Sequence, residues 1–248
     1  MTHYRHSKHA GNSADCHKHL LLNYLLTTHR PAQYLETHAG AGCYRLSDTG
    51  SWTQGIGRLW PVAASAFCPE FSEGLTALNP EPLTLYPGSP WWAHRILGAE
   101  PLTLFELELD VADQLREVLA DADVRSGDGF SSVAHLLEEG SFTLVDPPYV
   151  DPYEFERALN LLTLVAQRGD CALMLWYPRF ADQREADFLQ QLEVLLGDQG
   201  WRSDLLFETP VGVLVGSGVA VVGLPPLSGA AAEALADALS PIGRVLTG

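Results

Sequence analysis

The chain has 248 residues, 46% of them hydrophobic, and carries a formal charge of −16. That size and apolar content predict one large domain that buries a core, and they exclude a disordered chain. The charge excludes a uniformly basic protein that holds nucleic acid by bulk electrostatics, and no apolar run reaches transmembrane length.

Residues 1–11 (MTHYRHSKHAG) have no period and read as a substrate-binding tail rather than a secretory leader, since they lack an apolar segment. Residues 1–30 hold Arg5, Lys8, Lys18 and Arg30 against Asp15 alone, a net of +3 that leaves −19 for the rest. A polyanion is therefore met at this end, with Arg5, Lys8 and Lys18 on phosphates. His3, His6, His9, Cys16, His17 and His19 match no zinc spacing, so polar contacts to cofactor or RNA are expected there and no metal. Cys16, Cys43, Cys68 and Cys171 form no C-x-x-C pair, which fits reduced thiols in the cytoplasm.

Asn12 or Ser13 caps a predicted helix that runs to about Thr28, with Leu20, Leu21, Tyr24 and Leu25 on its apolar face. A short strand at 34–37 enters His38-Ala39-Gly40-Ala41-Gly42, where Gly40 and Gly42 let backbone approach a ligand closely. Residues 47–85 break the rhythm and read as a small inserted helical subdomain in a chain that is otherwise one domain over 1–248. Strand 102–106, helix 111–120, a strand near Val124, the turn Gly127-Asp128-Gly129-Phe130 and a helix through Leu137 follow. Next come strand 142–145, helix 153–167, strand 171–176, helix 183–196, strands near 202–208 and 217–223, and an Ala-rich helix over 230–239. The alternation predicts an α/β, Rossmann-like fold: a mostly parallel seven-stranded sheet, its last pair antiparallel, with helices on both faces.

The strand at 142–145 ends in Asp146-Pro147-Pro148-Tyr149. A carboxylate, a rigid turn and an aromatic ring at a strand end are the parts that hold an exocyclic amino group of a flat base. Asp146 accepts one hydrogen bond from the NH2, a carbonyl of the proline turn accepts the other, and Tyr149 stacks on the extruded base. Ligands of such sheets bind at the carboxyl ends of the strands. Three acidic strand ends lie there in order, Glu36, Glu106 and Asp146. Glu106 sits where an acidic residue chelates a ribose diol, and Asp128 can accept from an adenine amino group. The G-x-G-x-x-G spacing fails, because Arg45, followed by Leu46, stands at its third glycine position. A dinucleotide is thereby disfavoured and S-adenosylmethionine favoured.

The segments Tyr4-Arg5-His6-Ser7, His9-Ala10-Gly11-Asn12, Lys18-His19, Thr37 to Gly42, Tyr86-Pro87-Gly88-Ser89-Pro90, Val145 to Tyr149, Leu175-Trp176-Tyr177-Pro178 and Gly216-Ser217-Gly218 together resemble the RlmJ family of bacterial 23S rRNA adenine-N6 methyltransferases. The resemblance implies Asp146 as the catalytic acceptor within the turn Asp146, Pro147, Pro148, Tyr149. It implies a cofactor site of His19, His38, Ser89, Glu106, Asp128 and Gly129, to which the turn readings add Gly40, Gly42 and Asp146 itself. RNA contacts fall to Tyr4, with Arg5, His6, Lys8 and Lys18 beside it. The implied partner is large-subunit rRNA, protein-free or in early assembly, with the enzyme a monomer. A DNA adenine methyltransferase and a non-catalytic nucleic-acid binding or uptake protein are the rival readings. The family often has Ala-Asp-Val-Leu-Lys-His where this chain has Ala14-Asp15-Cys16-His17-Lys18-His19.

Overall fold

Apolar runs that stop at a polar or acidic residue become the strands of one sheet, and the Gly- and Pro-rich joints between them become its turns. The computed structural model describes residues 9–60 and 66–247. In chain order it contains α1 (Ser13–His29), β1 (Gln33–Glu36), β2 (Cys43–Arg45), a 3₁₀ turn (Ser51–Gln54), α2 (Ile56–Leu59), α3 (Pro69–Leu78), β3 (Leu85–Pro87), α4 (Ser89–Leu97) and β4 (Leu102–Glu106). It continues with α5 (Leu109–Val118), β5 (Asp123–Ser126), α6 (Gly129–Val133), β6 (Ser141–Val145), α7 (Tyr153–Arg168), β7 (Ala172–Phe180), α8 (Ala186–Leu196), β8 (Gly200–Val211), β9 (Leu214–Val222), α9 (Gly229–Leu239) and β10 (Gly243–Thr247).

The large sheet runs β10-β8-β9-β7-β6-β1-β4-β5. The five strands from β5 to β7 are parallel; β9, β8 and β10 each pair antiparallel with their neighbour. Among the described residues the sheet has eight strands rather than the expected seven. The extra one, β10, is a five-residue edge strand too short to display alternation in the sequence; only pairing with Ser203–Phe207 makes it a strand. The strand order reverses at β1, which has β4 on one side and β6 on the other. A crevice opens at such a reversal, beyond the carboxyl ends of the two strands.

Two apolar clusters cover the two faces of the sheet. One joins α1, α3, α4, α5 and α9 through residues such as Leu21, Phe71, Trp92, Leu115 and Leu239. The other joins α7 and α8 through Leu162, Val165, Phe188 and Leu192. Asn12 accepts a 2.9 Å bond from the Asp15 amide, and Asp15 accepts one of 2.9 Å from Gly11, so each side chain satisfies a donor at the head of α1. This helix departs from the expected one-faced amphipath: nearly every position from Ser13 to Leu26 is buried, because helices, sheet and ribbon enclose it.

Residues 43–87 leave and rejoin the sheet through a two-stranded ribbon, with Tyr44 opposite Tyr86. Trp92 lies fully buried against Phe71. Several helix ends differ from the periodicity. The predicted start of α8 at Gln183 is a turn in which that residue takes φ 55°, and the helix expected to reach Leu137 ends at Val133.

Candidate active site

The turn after β1 straddles the reversal point. Thr37 donates its N–H to the Leu144 carbonyl on the β6 side, at 3.1 Å. Ala39 donates to Phe105 at 2.8 Å, and Gly40 donates to Glu106 Oε2 at 2.9 Å, on the β4 side. Gly40 has φ +63°, and a Cβ there would fall 2.2 Å from Tyr44 Oη, so the turn favours glycine. Opposite this turn stands Asp146, directly after β6. Between them the crevice is lined by α1 through Asp15, Lys18 and His19, by Ser89 at the head of α4, and by Trp176 of β7; it encloses about 780 Å³ counted to its open mouth.

Lys18 decides the electrostatics. Its ammonium bonds Asp146 Oδ2 and lies 3.1 Å from Asp15 Oδ1. Burial works against the ammonium, but the charges of Asp146 and Asp15 outweigh it and hold the lysine above its ordinary range. Burial likewise pushes the Asp15 carboxyl up, and Lys18 and then His19 pull it below its ordinary value. Lys18 therefore does not meet phosphate as expected from the charge pattern. It is 6% exposed, and both its partners are carboxylates of the crevice.

The remaining predicted residues divide clearly. His19, His38, Gly40, Ser89, Asp146, Pro147 and Pro148 share the crevice wall with Lys18. His19 lies with Nδ1 3.0 Å from Tyr86 Oη, while its buried Nε2 meets no protein partner. His38 packs edge-on against Phe130, with Nδ1 2.7 Å from the Thr37 hydroxyl. Gly42 lies behind the turn, its carbonyl accepting from Gly88 at 2.8 Å. Glu106 accepts from Gly40 and Glu108, both at 2.9 Å, which uses two of the roughly four acceptor directions of a carboxylate.

Asp128 caps α6 through the Phe130 amide at 3.1 Å and also accepts from Ser131 and Arg157. Gly129 has a packing reason: a Cβ would lie 2.2 Å from the Thr37 carbonyl oxygen. Tyr149 departs from the expected base platform. A φ of 52° turns its ring under the loop, where it packs 4.4 Å from Phe155 and donates to the Trp176 carbonyl at 2.8 Å. It braces the turn from behind and does not line the crevice. Tyr4, Arg5, His6 and Lys8 lie outside the described residues.

The reading of residues alone missed the Lys18 contact to Asp146, which joins positions 128 apart, and the closing of Tyr44 over the turn, where the Ala41 amide donates to its hydroxyl at 3.0 Å. The sequence carries a trace of the first, since Asp15 and Lys18 lie three apart on one helix. Glu36 was visible only as an acidic strand end. It is fully buried, accepts from Ser89 and, at 2.8 Å, from Tyr34, and its carboxyl is pushed up to about 8, chiefly by burial and further by Asp146, against the pull of those two bonds. Among the described residues no cluster of His, Cys, Asp and Glu is arranged for a metal ion.

A family model described as "Ribosomal RNA large subunit methyltransferase D, RlmJ" matches residues 29–242. Ribosomal RNA large subunit methyltransferase J of Escherichia coli (strain K12) is 32% identical over 215 residues, covering 78% of this chain and 76% of that protein. Its namesake in Haemophilus influenzae (strain Rd) is 31% identical over 217 residues, with the same coverage. The solved structure of protein LPL1258 from Legionella pneumophila has a TM-score of 0.84 at 24% identity over 97% of this chain and 98% of that one, which speaks for the shared fold.

The reversal-point crevice, with the Gly40 turn on one side and the Asp146 corner on the other, defines a Rossmann-like methyltransferase. The chain belongs to the RlmJ family of ribosomal RNA large subunit methyltransferases.

Proposed function

We propose that the chain transfers a methyl group from S-adenosylmethionine to the exocyclic N6 of an adenine in large-subunit rRNA, the base entering the crevice after extrusion from its strand. The observation that carries this reading is Asp146, a carboxylate held by Lys18 at the end of β6 and facing the Gly40 turn.

The residues present fit the methyl donor. Gly40 lines the crevice beside the acidic end of β4, and the partnerless His19 Nε2 in the crevice wall calls for a ligand. His19, His38, Gly40 and Ser89 would hold its amino-acid portion, Glu106 its ribose, and Asp128 its adenine. When bound, it supplies an electrophilic methyl.

The chain's own groups do the rest. Asp146 accepts one N–H of the target amine and the proline turn a second, which turns the nitrogen lone pair out of the ring and towards the methyl. Lys18 orients Asp146 and balances its charge. The carboxylate need not deprotonate a neutral amine, because that proton becomes acidic only as the new bond forms. Catalysis then rests on positioning and on electrostatics in a closed site.

The natural substrate is rRNA that is protein-free or in early assembly, where a base can leave a loop or helix end most readily. The enzyme acts in the cytoplasm as a monomer. None of the described helices is long and apolar enough to cross a membrane. Asp146→Ala should abolish methyl incorporation into protein-free 23S rRNA, by at least about 100-fold, while S-adenosylmethionine still binds by calorimetry. Undiminished incorporation in that variant would end the reading.

A further inference from the structure

His17 takes no part in the chemistry above, yet it is fully buried with a polar partner on each ring nitrogen. Nδ1 lies 3.1 Å from the Ser217 hydroxyl and Nε2 3.0 Å from the Ser203 hydroxyl. Ser217 in turn accepts the indole N–H of Trp176 at 2.9 Å. Trp176 forms the crevice wall beside Asp146 and Lys18, with the Lys18 ammonium 5.8 Å from its ring centroid. The backbone carbonyl of Trp176 accepts from Tyr149 of the catalytic turn at 2.8 Å. The indole is thus held from one end by α1 through Ser217 and at its backbone by the loop that carries Asp146.

Ser217 lies on β9 between two glycines. A Cβ on Gly218 would fall 1.9 Å from the Tyr177 ring, and one on Gly216 would fall 2.7 Å from the Leu205 carbonyl oxygen. Alternation along β9 turns both absent side chains away from the face on which Ser217 meets His17 and Trp176. A fully satisfied buried polar network fixes one arrangement, whereas an apolar side chain of similar size would fill the same space without specifying where the indole points.

We infer that His17 is a positioning residue for methyl transfer: acting through Ser217, it fixes the indole of Trp176 as the wall against which the target base is oriented. This rests on the reading that the base occupies the crevice beside Asp146. Burial depresses the His17 imidazole to about 3, so the link stays neutral throughout the working pH range.

The test uses five variants of the full chain, with a sixth in reserve, steady-state methylation of protein-free 23S rRNA, calorimetry with S-adenosylmethionine, and the 19F resonance of Trp176 in 5-fluorotryptophan-labelled protein, assigned by its loss in Trp176→Phe. The amide of Asn reaches the place of Nδ1, and that of Gln reaches the place of Nε2. His17→Asn keeps the Ser217 link and should retain kcat within about twofold and leave the resonance in place. His17→Gln keeps only the Ser203 link; it and His17→Leu should lower kcat roughly tenfold and shift the resonance, with cofactor affinity unchanged within about twofold. In a Trp176→Phe background, His17→Leu should cost nothing further, because the residue through which it acts has lost its indole N–H.

Should the Leu variant fail to fold, Ser217→Ala breaks the same chain one link later and must give the same tenfold loss and shift. Equal rates for the Asn, Gln and Leu variants, or full additivity with Trp176→Phe, overturn the inference alone. Wild-type rRNA methylation by Trp176→Phe itself overturns the base-pocket reading together with the inference.

Discussion

At the scale of single residues, the site is a balance of one buried ammonium against two carboxylates. Lys18→Met removes the ammonium that both Asp15 and Asp146 bond, a loss on the order of 3 kcal/mol in folding free energy. Urea denaturation measures it, and Asp15→Asn combined with Lys18→Met should recover part of the loss by removing one of the stranded charges. A Lys18→Met protein as stable as the parent would show that the three groups are solvated. Asp146 could be read in the sequence because a strand-ending Asp-Pro-Pro-Tyr is local. So could Gly40, since the turn that needs it lies in five consecutive residues. The role of Lys18 could not, because the carboxylate it serves is 128 positions away. Tyr149 misled for a related reason: its residue type suits a platform, but the sign of its φ decides which way the ring points.

At the scale of elements, β1, β4 and β6 were legible from apolar runs ending at acids and β5 and β7 from the strand-helix alternation, whereas β10 was not, because a lone edge strand of five residues takes its identity from its neighbour. Helix starts were legible where a cap is encoded. Asn12→Ala should cost about 1 kcal/mol, read as a lower Tm, because the Asp15 amide loses its acceptor. Gly129 makes a sharper case. Its sequence setting suggests a ligand-facing glycine, yet the space is filled by the Thr37 backbone. Gly129→Ala should therefore push β1 and α6 apart and destabilise the fold by roughly 1–3 kcal/mol. Because Thr37 leads into the Gly40 turn, the same variant should weaken cofactor affinity. Unchanged Tm and calorimetry in this variant would show that the contact yields freely.

At the scale of the whole molecule, the pH dependence of stability follows from three buried groups. Glu36 holds its proton up to about 8 when folded, against an ordinary carboxyl value of 4.5 when unfolded. Between those values the native state binds more protons than the unfolded one, so stability falls as pH rises through that window, at up to about 1.4 kcal/mol per pH unit. His17 and His19 act in the opposite direction. Burial depresses both to about 3 from 6.5, so the unfolded state binds more protons between those values and stability falls as pH drops through them. Glu36→Gln should therefore flatten the alkaline side of a Tm-against-pH curve and leave the acid side in place. A variant curve that parallels the parent from pH 5 to 8 would show Glu36 ionised in the fold. The class of fold was legible at this scale from the strand-helix alternation. These couplings were not, because they depend on how deeply each group is buried.

The docking of α1 on the antiparallel strands has a consequence for synthesis. The helix bearing Lys18 leaves the ribosome early, but its buried partners Ser203 and Ser217 are made nearly two hundred residues later. Until β8 and β9 are translated, the helix lacks one of the surfaces that seat it, and the lysine is not fully fixed beside Asp146. A nascent chain can thus carry every residue of the Asp146 corner and still be inert. Such an enzyme gains its activity late in its own translation, when β8 and β9 close over its first helix.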